Sequence, residues 1–152
     1  MFSQTTEYAL RAIVYLAENP SPQKTEKIAS ATQIPPAYLS KVLQQLNRAA
    51  IVGSQRGLKG GHFLSRKPKK ITILEIVNAV EPLQRIKECP LGLPAHKTQL
   101  CPLHKKLDEA AALIERSFGN TTVLDLITQP GNNNLYTFVS KNETKKKQKT
   151  SL

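Results

Sequence analysis

The sequence predicts a mainly α-helical chain with one small β-hairpin, organised as a winged helix-turn-helix followed by a long C-terminal dimerisation helix. Three observations lead to that fold class. Apolar residues recur at helical spacing in short segments before residue 50, with a proline-marked turn before the last of them. A glycine-bearing turn then separates Ile51-Val52 from Phe63-Leu64, the pattern of a small antiparallel hairpin. Further on, Leu103, Leu107, Ala111, Ile114 and Phe118 follow one another at intervals of 4, 4, 3 and 4, the stripe of a helix that buries a narrow seam.

In chain order, Leu10, Ile13, Val14 and Ala17 place a first helix over about Thr5 to Glu18, stopped by Asn19-Pro20-Ser21-Pro22. Thr25 is expected to cap a short second helix carrying Ile28 and Ala29. Ile34-Pro35-Pro36 makes a tight turn with prolines suited to a helix start, and Leu39, Val42, Leu43 and Leu46 give the third helix its inward side. Two short helices joined in this way form a helix-turn-helix, and the hairpin after Ala50 adds the wing. Thr72 caps another helix with Ile73, Ile76, Val77 and Val80 inward, closed by Glu81-Pro82. The rise from Leu103 to Phe118 is roughly 22 Å at about 1.5 Å per residue. A helix of this kind either dimerises or folds back on its own core, and the small apolar remainder of the preceding domain favours dimerisation. Gly119-Asn120 ends it, and Thr121-Thr122 caps a final short helix through Leu124 and Ile127. The expected organisation is a winged helix-turn-helix over 1–83, a cysteine-containing sensor loop over 84–102, a dimerisation helix and short terminal helix over 103–129, and a disordered basic tail over 130–152.

The charge is distributed unevenly. Residues 1–83 hold 11 basic and 5 acidic side chains, residues 84–129 hold 6 and 5, and residues 130–152 hold 5 and 1, within a net charge of +11. From Lys41 to Lys70 there are eight Lys or Arg and no Asp or Glu. An acid-free stretch built as helix plus hairpin can lay several cations along a phosphate backbone, so double-stranded DNA is the expected partner. The start, Met1-Phe2-Ser3-Gln4, lacks a basic and apolar leader, and no apolar run approaches a membrane span, so a cytoplasmic protein without membrane contact is expected. Two cysteines in a reducing compartment read as thiols or metal ligands.

With Leu39 and Leu46 turned inward, Ala37, Lys41, Gln44 and Arg48 fall on the opposite side of the third helix, with Ser40 at its edge. That side is small near its start and polar or cationic beyond, which suits a major groove. Ser40, Lys41 and Gln44 are the candidates for base edges; Arg48, Lys67, Lys69 and Lys70 are the candidates for phosphate. Arg56 and Lys59 project from the hairpin tip, where Gly57, Gly60 and Gly61 serve positive φ or close approach, and an arginine so placed can enter a minor groove. The spacing Gly57-x-x-Gly60-Gly61 is neither a dinucleotide fingerprint nor a P-loop. A catalytic constellation is also absent: Glu7, His62 and His104 are scattered along the chain, so no enzyme is expected.

Cys101-Pro102-Leu103-His104 puts a thiol at a helix N-cap and an imidazole three residues on, on one helix face, where a helix N-terminus favours the thiolate that metals require. Cys89 lies twelve positions earlier, on a loop able to fold back. The residues leave three readings open: a metal or cluster site, a thiol redox switch, or two packed thiols with no sensory role.

Glu7-Tyr8-Ala9-Leu10-Arg11-Ala12, Ile28-Ala29, Pro36-Ala37-Tyr38-Leu39, Arg56-Gly57 before Gly60-Gly61, and Ile76-Val77-Asn78-Ala79-Val80-Glu81 together resemble the Rrf-two family of bacterial winged-helix regulators. That family includes iron–sulfur cluster regulators and nitric-oxide-sensing repressors. The resemblance runs to about Ile127. It implies a homodimeric transcription factor, usually a repressor, that binds a roughly palindromic operator and crosses its long helices at the dimer interface. It also implies an iron–sulfur cluster in members with three cysteines in this region, and mixed nitrogen and sulfur ligation is chemically permissible for a [2Fe-2S] centre and also for zinc. Cys89, Cys101 and His104 match the first cysteine, the last cysteine and a histidine found three positions later in some members. The middle cysteine is missing, and Pro94-Ala95-His96 stands in its neighbourhood, so His96 is a further candidate ligand. Glu7, before Tyr8, occupies the place of a carboxylate that some relatives lend from the other subunit. The alternatives are a cluster-free regulator working through its thiols and a DNA-binding protein that senses nothing.

Overall fold

The computed structural model describes residues 2–90, 92 and 99–129. Six helices and one hairpin follow in the order α1 (Gln4–Glu18), α2 (Thr25–Thr32), α3 (Pro36–Arg48), β1 (Val52–Gln55), β2 (Gly61–Leu64), α4 (Ile73–Val80), α5 (Pro102–Gly119) and α6 (Val123–Thr128), with a 3-10 turn at Pro68–Lys70. The expected tail and His96 lie outside the described residues.

The core forms where α1, α2, α3 and α4 turn their apolar stripes together. Ile13, Ile28, Leu39, Leu46 and Ile76 are each fully buried there. Local chemistry fixes the ends of these helices. The Ser3 hydroxyl accepts the Thr6 N–H at 3.3 Å to start α1. α2 stops at Gln33, which takes the left-handed conformation at φ 55°, and Pro36 opens α3 as its first residue. Thr72 and Glu75 form a capping box on α4, and Thr122 and Asp125 form another on α6.

One expected cap is not a cap. The residue before α2 is Lys24, which makes no side-chain capping bond, and Thr25 is the first residue inside the helix. Its hydroxyl instead meets His62 Nε2, 37 residues away, at 3.2 Å. A long-range partner has taken the side chain that local propensity assigns to the cap.

The wing is a two-stranded antiparallel sheet with Val52 opposite Leu64 and Gln55 opposite Gly61. It is fastened to the rest of the domain by its backbone. Gln23 N–H donates to the His62 carbonyl at 2.9 Å, and His62 N–H donates to the Gln23 carbonyl at 2.8 Å. Asn47 of α3 holds β1 from the other side, its amide donating to the Val52 carbonyl at 3.0 Å. These bonds set the position of the wing relative to α3.

α5 runs 18 residues, roughly 27 Å, and none of its residues is buried. It packs on α4, and Phe118 meets Phe2 with ring centroids 5.3 Å apart. Leu103, Leu107 and Leu113 remain exposed. After α5 the chain returns: Ile73 N–H donates to the Thr121 carbonyl, Val123 N–H donates to the Ile71 carbonyl, and Val123 is fully buried in the core.

Candidate nucleic-acid interface and thiol site

α3 stands as a ridge between two grooves. The groove toward the start of α1 is lined by Ser3, Thr5, Tyr38, Arg48 and Glu81; the groove toward the wing is lined by Thr25, Ser54 and His62, with Lys41 and Gln44 bordering both. Ser40, Lys41, Gln44 and Arg48 are all exposed, while Leu39, Val42, Leu43 and Leu46 occupy the buried side. The Ser40 hydroxyl donates to the Pro36 carbonyl at 3.0 Å, so toward an outside group it is an acceptor. Lys41 Nζ lies 6.0 Å from the ring centroid of Tyr38, which packs edge-on to Tyr8 with centroids 6.3 Å apart. Tyr38 is 57% exposed, a large aromatic on the outward surface that the sequence reading did not single out as a site residue. Its position beside Leu39 in a run of core spacing hides it.

On the wing, Arg56 and Lys59 are exposed at the tip with Leu58 between them, 96% exposed. Not every cation of the Lys41–Lys70 stretch faces outward freely. Arg66 donates to Glu75 at 2.9 Å and to the Lys70 carbonyl at 3.0 Å, so it staples the 3-10 turn to α4. Lys67, Lys69 and Lys70 are exposed on and beside that turn, which packs against α6. Among the described residues none of Lys41, Arg48, Arg56 and Lys59 is paired with a carboxylate.

The second candidate site lies at the start of α5. Cys101 is the N-cap, and its Sγ lies 3.2 Å from His104 Nδ1; Cys89 Sγ reaches the same nitrogen at 3.9 Å. The loop carrying Cys89 is held there by Arg85. Its guanidinium donates twice to Asp108, at 2.7 Å each, and once to Glu115 at 2.9 Å, and the Ile86 N–H donates to Asp108 at 2.9 Å. The Arg85 hydrogen bonds hold the Asp108 carboxyl below the usual carboxylate range. His104, Asp108, Ala111 and Glu115 are spaced 4, 3 and 4 residues apart, so one face of α5 receives Arg85, Ile86 and Cys89.

Two thiols and an imidazole are a donor set that iron–sulfur clusters and zinc accept. The set is linked through one nitrogen: both sulfurs point at Nδ1, and among the described residues no three His, Cys, Asp or Glu side chains are arranged to hold a metal ion together. Glu7 is exposed on α1, pairs with Arg11 at 3.4 Å, and is not bonded to the cysteine group. Within one chain the fit is chemical and incomplete.

His62 is the functional-surface residue that sequence reasoning passed over as scattered. Its Nδ1 is buried without a hydrogen-bond partner, and burial holds its pKa below the ordinary value of 6.5. Lys41 is the charged side chain that lines the same groove. In the unfolded chain the imidazole takes a proton as pH falls through 6.5, while in the folded chain it resists until lower pH. The stability tied to neutral His62 is therefore complete above 6.5 and lost as pH falls below it. Melting temperatures measured from pH 7.5 to 5.0 should show His62→Asn declining less steeply than the wild type; parallel curves would refute the assignment.

A helix-turn-helix with a basic outward ridge and a basic wing is the architecture of a transcriptional regulator, and comparison with known proteins agrees. The model of the Rrf2 (Rrf-two) family, described as iron-dependent transcriptional regulators, matches residues 2–129, and the chain belongs to that family. It is 36% identical over 132 residues to a protein of Aquifex aeolicus (strain VF5) described as an HTH-type transcriptional regulator, covering 84% of this chain and 91% of that one. Among solved structures, CymR (YrzC), the global cysteine regulator of B. subtilis, superposes with a TM-score of 0.70 at 24% identity, covering 84% of this chain and 96% of that one. T. potens IscR gives 0.69 at 22%, covering 84% and 85%, and the oxidised form of Staphylococcus aureus CymR gives 0.68 at 22%, covering 87% and 99%. These structural likenesses bear on the fold. The protein is a transcriptional regulator, not an enzyme.

Proposed function

We propose that this regulator is a homodimeric, sequence-specific DNA-binding repressor that senses redox state, iron or nitric oxide through an iron–sulfur cluster. The observation that carries the DNA reading is the outward surface of α3 and the wing, where Lys41, Arg48, Arg56 and Lys59 are exposed and, among the described residues, unpaired with acid. Ser40, Lys41 and Gln44 take base edges, Arg48 and Lys67, Lys69 and Lys70 take phosphate, and Arg56 and Lys59 enter or flank a minor groove. The exposed Leu103 and Leu107 on α5, beside Ile114 on the same side, support pairing of two copies through that helix.

In the cluster reading, Cys89, Cys101 and His104 hold the group with Glu7 of a second copy, and the bound group supplies one-electron redox chemistry. Arg85 holds the Cys89 loop against α5 through Asp108 and Glu115. A second reading, favoured by the two sulfurs sharing His104 Nδ1, is a cluster-free thiol switch. The structural relatives include a global cysteine regulator and a protein solved in an oxidised form, which suits it.

Iron and acid-labile sulfide analysis of anaerobically purified protein tests the first reading. Iron and sulfide in equal amounts with visible absorption are expected, and they should fall away in Cys101→Ala. Colourless protein without either removes the cluster. The thiol reading then requires that Cys89→Ser abolish the effect of peroxide on DNA binding, and an unchanged response would exclude it.

A further inference from the structure

We infer that Thr25, oriented by His62, donates a hydrogen bond to a DNA backbone phosphate seated in the groove between α3 and the wing. This rests on the DNA-binding reading above and adds a contact that basic residues and helix-face spacing do not reveal.

The argument starts from a proton. His62 Nδ1 is buried and has no partner, so a proton there would be a buried donor left unsatisfied. The proton of the neutral ring therefore sits on Nε2, which faces Thr25 Oγ1 at 3.2 Å and donates to it. A hydroxyl has one proton and two lone pairs. With a lone pair taken by His62, the Thr25 proton is the part left to give, and no hydrogen bond to an acceptor uses it among the described residues. Thr25 does not serve as the helix cap, which removes the usual local claim on that group.

The surroundings say what would accept the proton. Thr25 and His62 line the groove together with Ser40, Lys41, Gln44 and Ser54. No carboxylate lines it, and Lys41 is its one charged side chain. A neutral donor beside an ammonium, in a groove without acid, suits an oxyanion. On a surface whose ridge is offered to a major groove, that oxyanion is a phosphate of the flanking strand. The backbone bonds between His62 and Gln23, which lies two residues before Thr25 in the chain, hold the ring and the hydroxyl together.

His62 is thus a positioning residue and Thr25 the contact. Because Thr25 is neutral and its target carries no sequence information, its loss should weaken binding without altering preference or counterion release. Lys41 differs on both counts.

The test uses the full chain and a duplex that the wild type selects from a random library. Thr25→Val is expected to weaken binding by about tenfold, equally on the selected duplex and on a scrambled one, with the salt slope unchanged. Thr25→Ser should restore affinity, and Lys41→Ala should lower the slope. Phosphate-ethylation interference gives a readout that a folding defect would not mimic. One phosphate that interferes for the wild type should cease to interfere for Thr25→Val and for His62→Phe, with the others retained. Wild-type affinity in Thr25→Val, or an unaltered interference pattern, would overturn this inference while leaving DNA binding intact. A wild type that selects no duplex would overturn the DNA-binding reading itself.

Discussion

Lys41→Ala and Arg56→Ala should each lower affinity for a selected duplex by about tenfold or more, and the double variant should bind with little preference over random sequence. Both side chains are exposed and among the described residues neither is paired with acid, so melting temperatures should stay close to wild type. The two losses should differ in kind. Lys41 projects from the ridge, steadied against the Tyr38 ring, and its removal should relax preference within the half-site. Arg56 sits at the wing tip, and its removal should erase preference for A·T-rich flanking sequence, because a narrow minor groove concentrates negative potential there. Binding measured by fluorescence anisotropy over a salt series separates the two. Full affinity in both variants would exclude this surface as the interface.

Gly61→Ala should be a strongly damaging small substitution in the wing. Gly61 adopts φ 155°, and a Cβ placed there would strike the Gln23 backbone at its nitrogen, carbonyl carbon and oxygen. Backbone cannot rotate away as a side-chain tip can. The clash breaks the two hydrogen bonds that join Gln23 to His62, and the combined cost in stability is on the order of 3 kcal/mol. Chemical denaturation should register that loss, and DNA binding should fall further than Arg56→Ala alone, since the whole wing is released. Gly57→Ala is the control. It has φ 107° and nothing near its Cβ direction, so its cost is confined to backbone strain at an exposed tip. Equal stability of wild type and Gly61→Ala would show that the wing is not fastened through this contact.

What the sequence made legible was local. The helix starts at Pro36, Thr72 and Thr122 follow from residues within one turn of each other, and the stripe Leu39, Val42, Leu43 and Leu46 follows from helical period alone. The ridge residues Ser40, Lys41, Gln44 and Arg48 were legible for the same reason, since the inward side defines the outward one. What escaped was non-local. Thr25 has the composition of a cap and was claimed by His62 from 37 residues away. Arg85 looked like an unremarkable loop cation until Asp108 and Glu115, 23 and 30 residues on, converged on it. Tyr38 was hidden beside the core position Leu39. Cys89, Cys101 and His104 were singled out by type and spacing, but their common meeting point at one ring nitrogen depends on how the loop is anchored.

The grip of Arg85 bears on how α5 can move. Asp108 and Glu115 are seven residues, two full turns, apart on the same helix face, and one guanidinium holds both. A slide of the strap along the rod would have to release both carboxylates at once, whereas a roll of strap and rod together releases neither. Leu103 and Leu107 lie about a quarter-turn around the cylinder from His104 and Asp108. A roll that kept the Arg85 grip would carry the leucine flank round through the same angle.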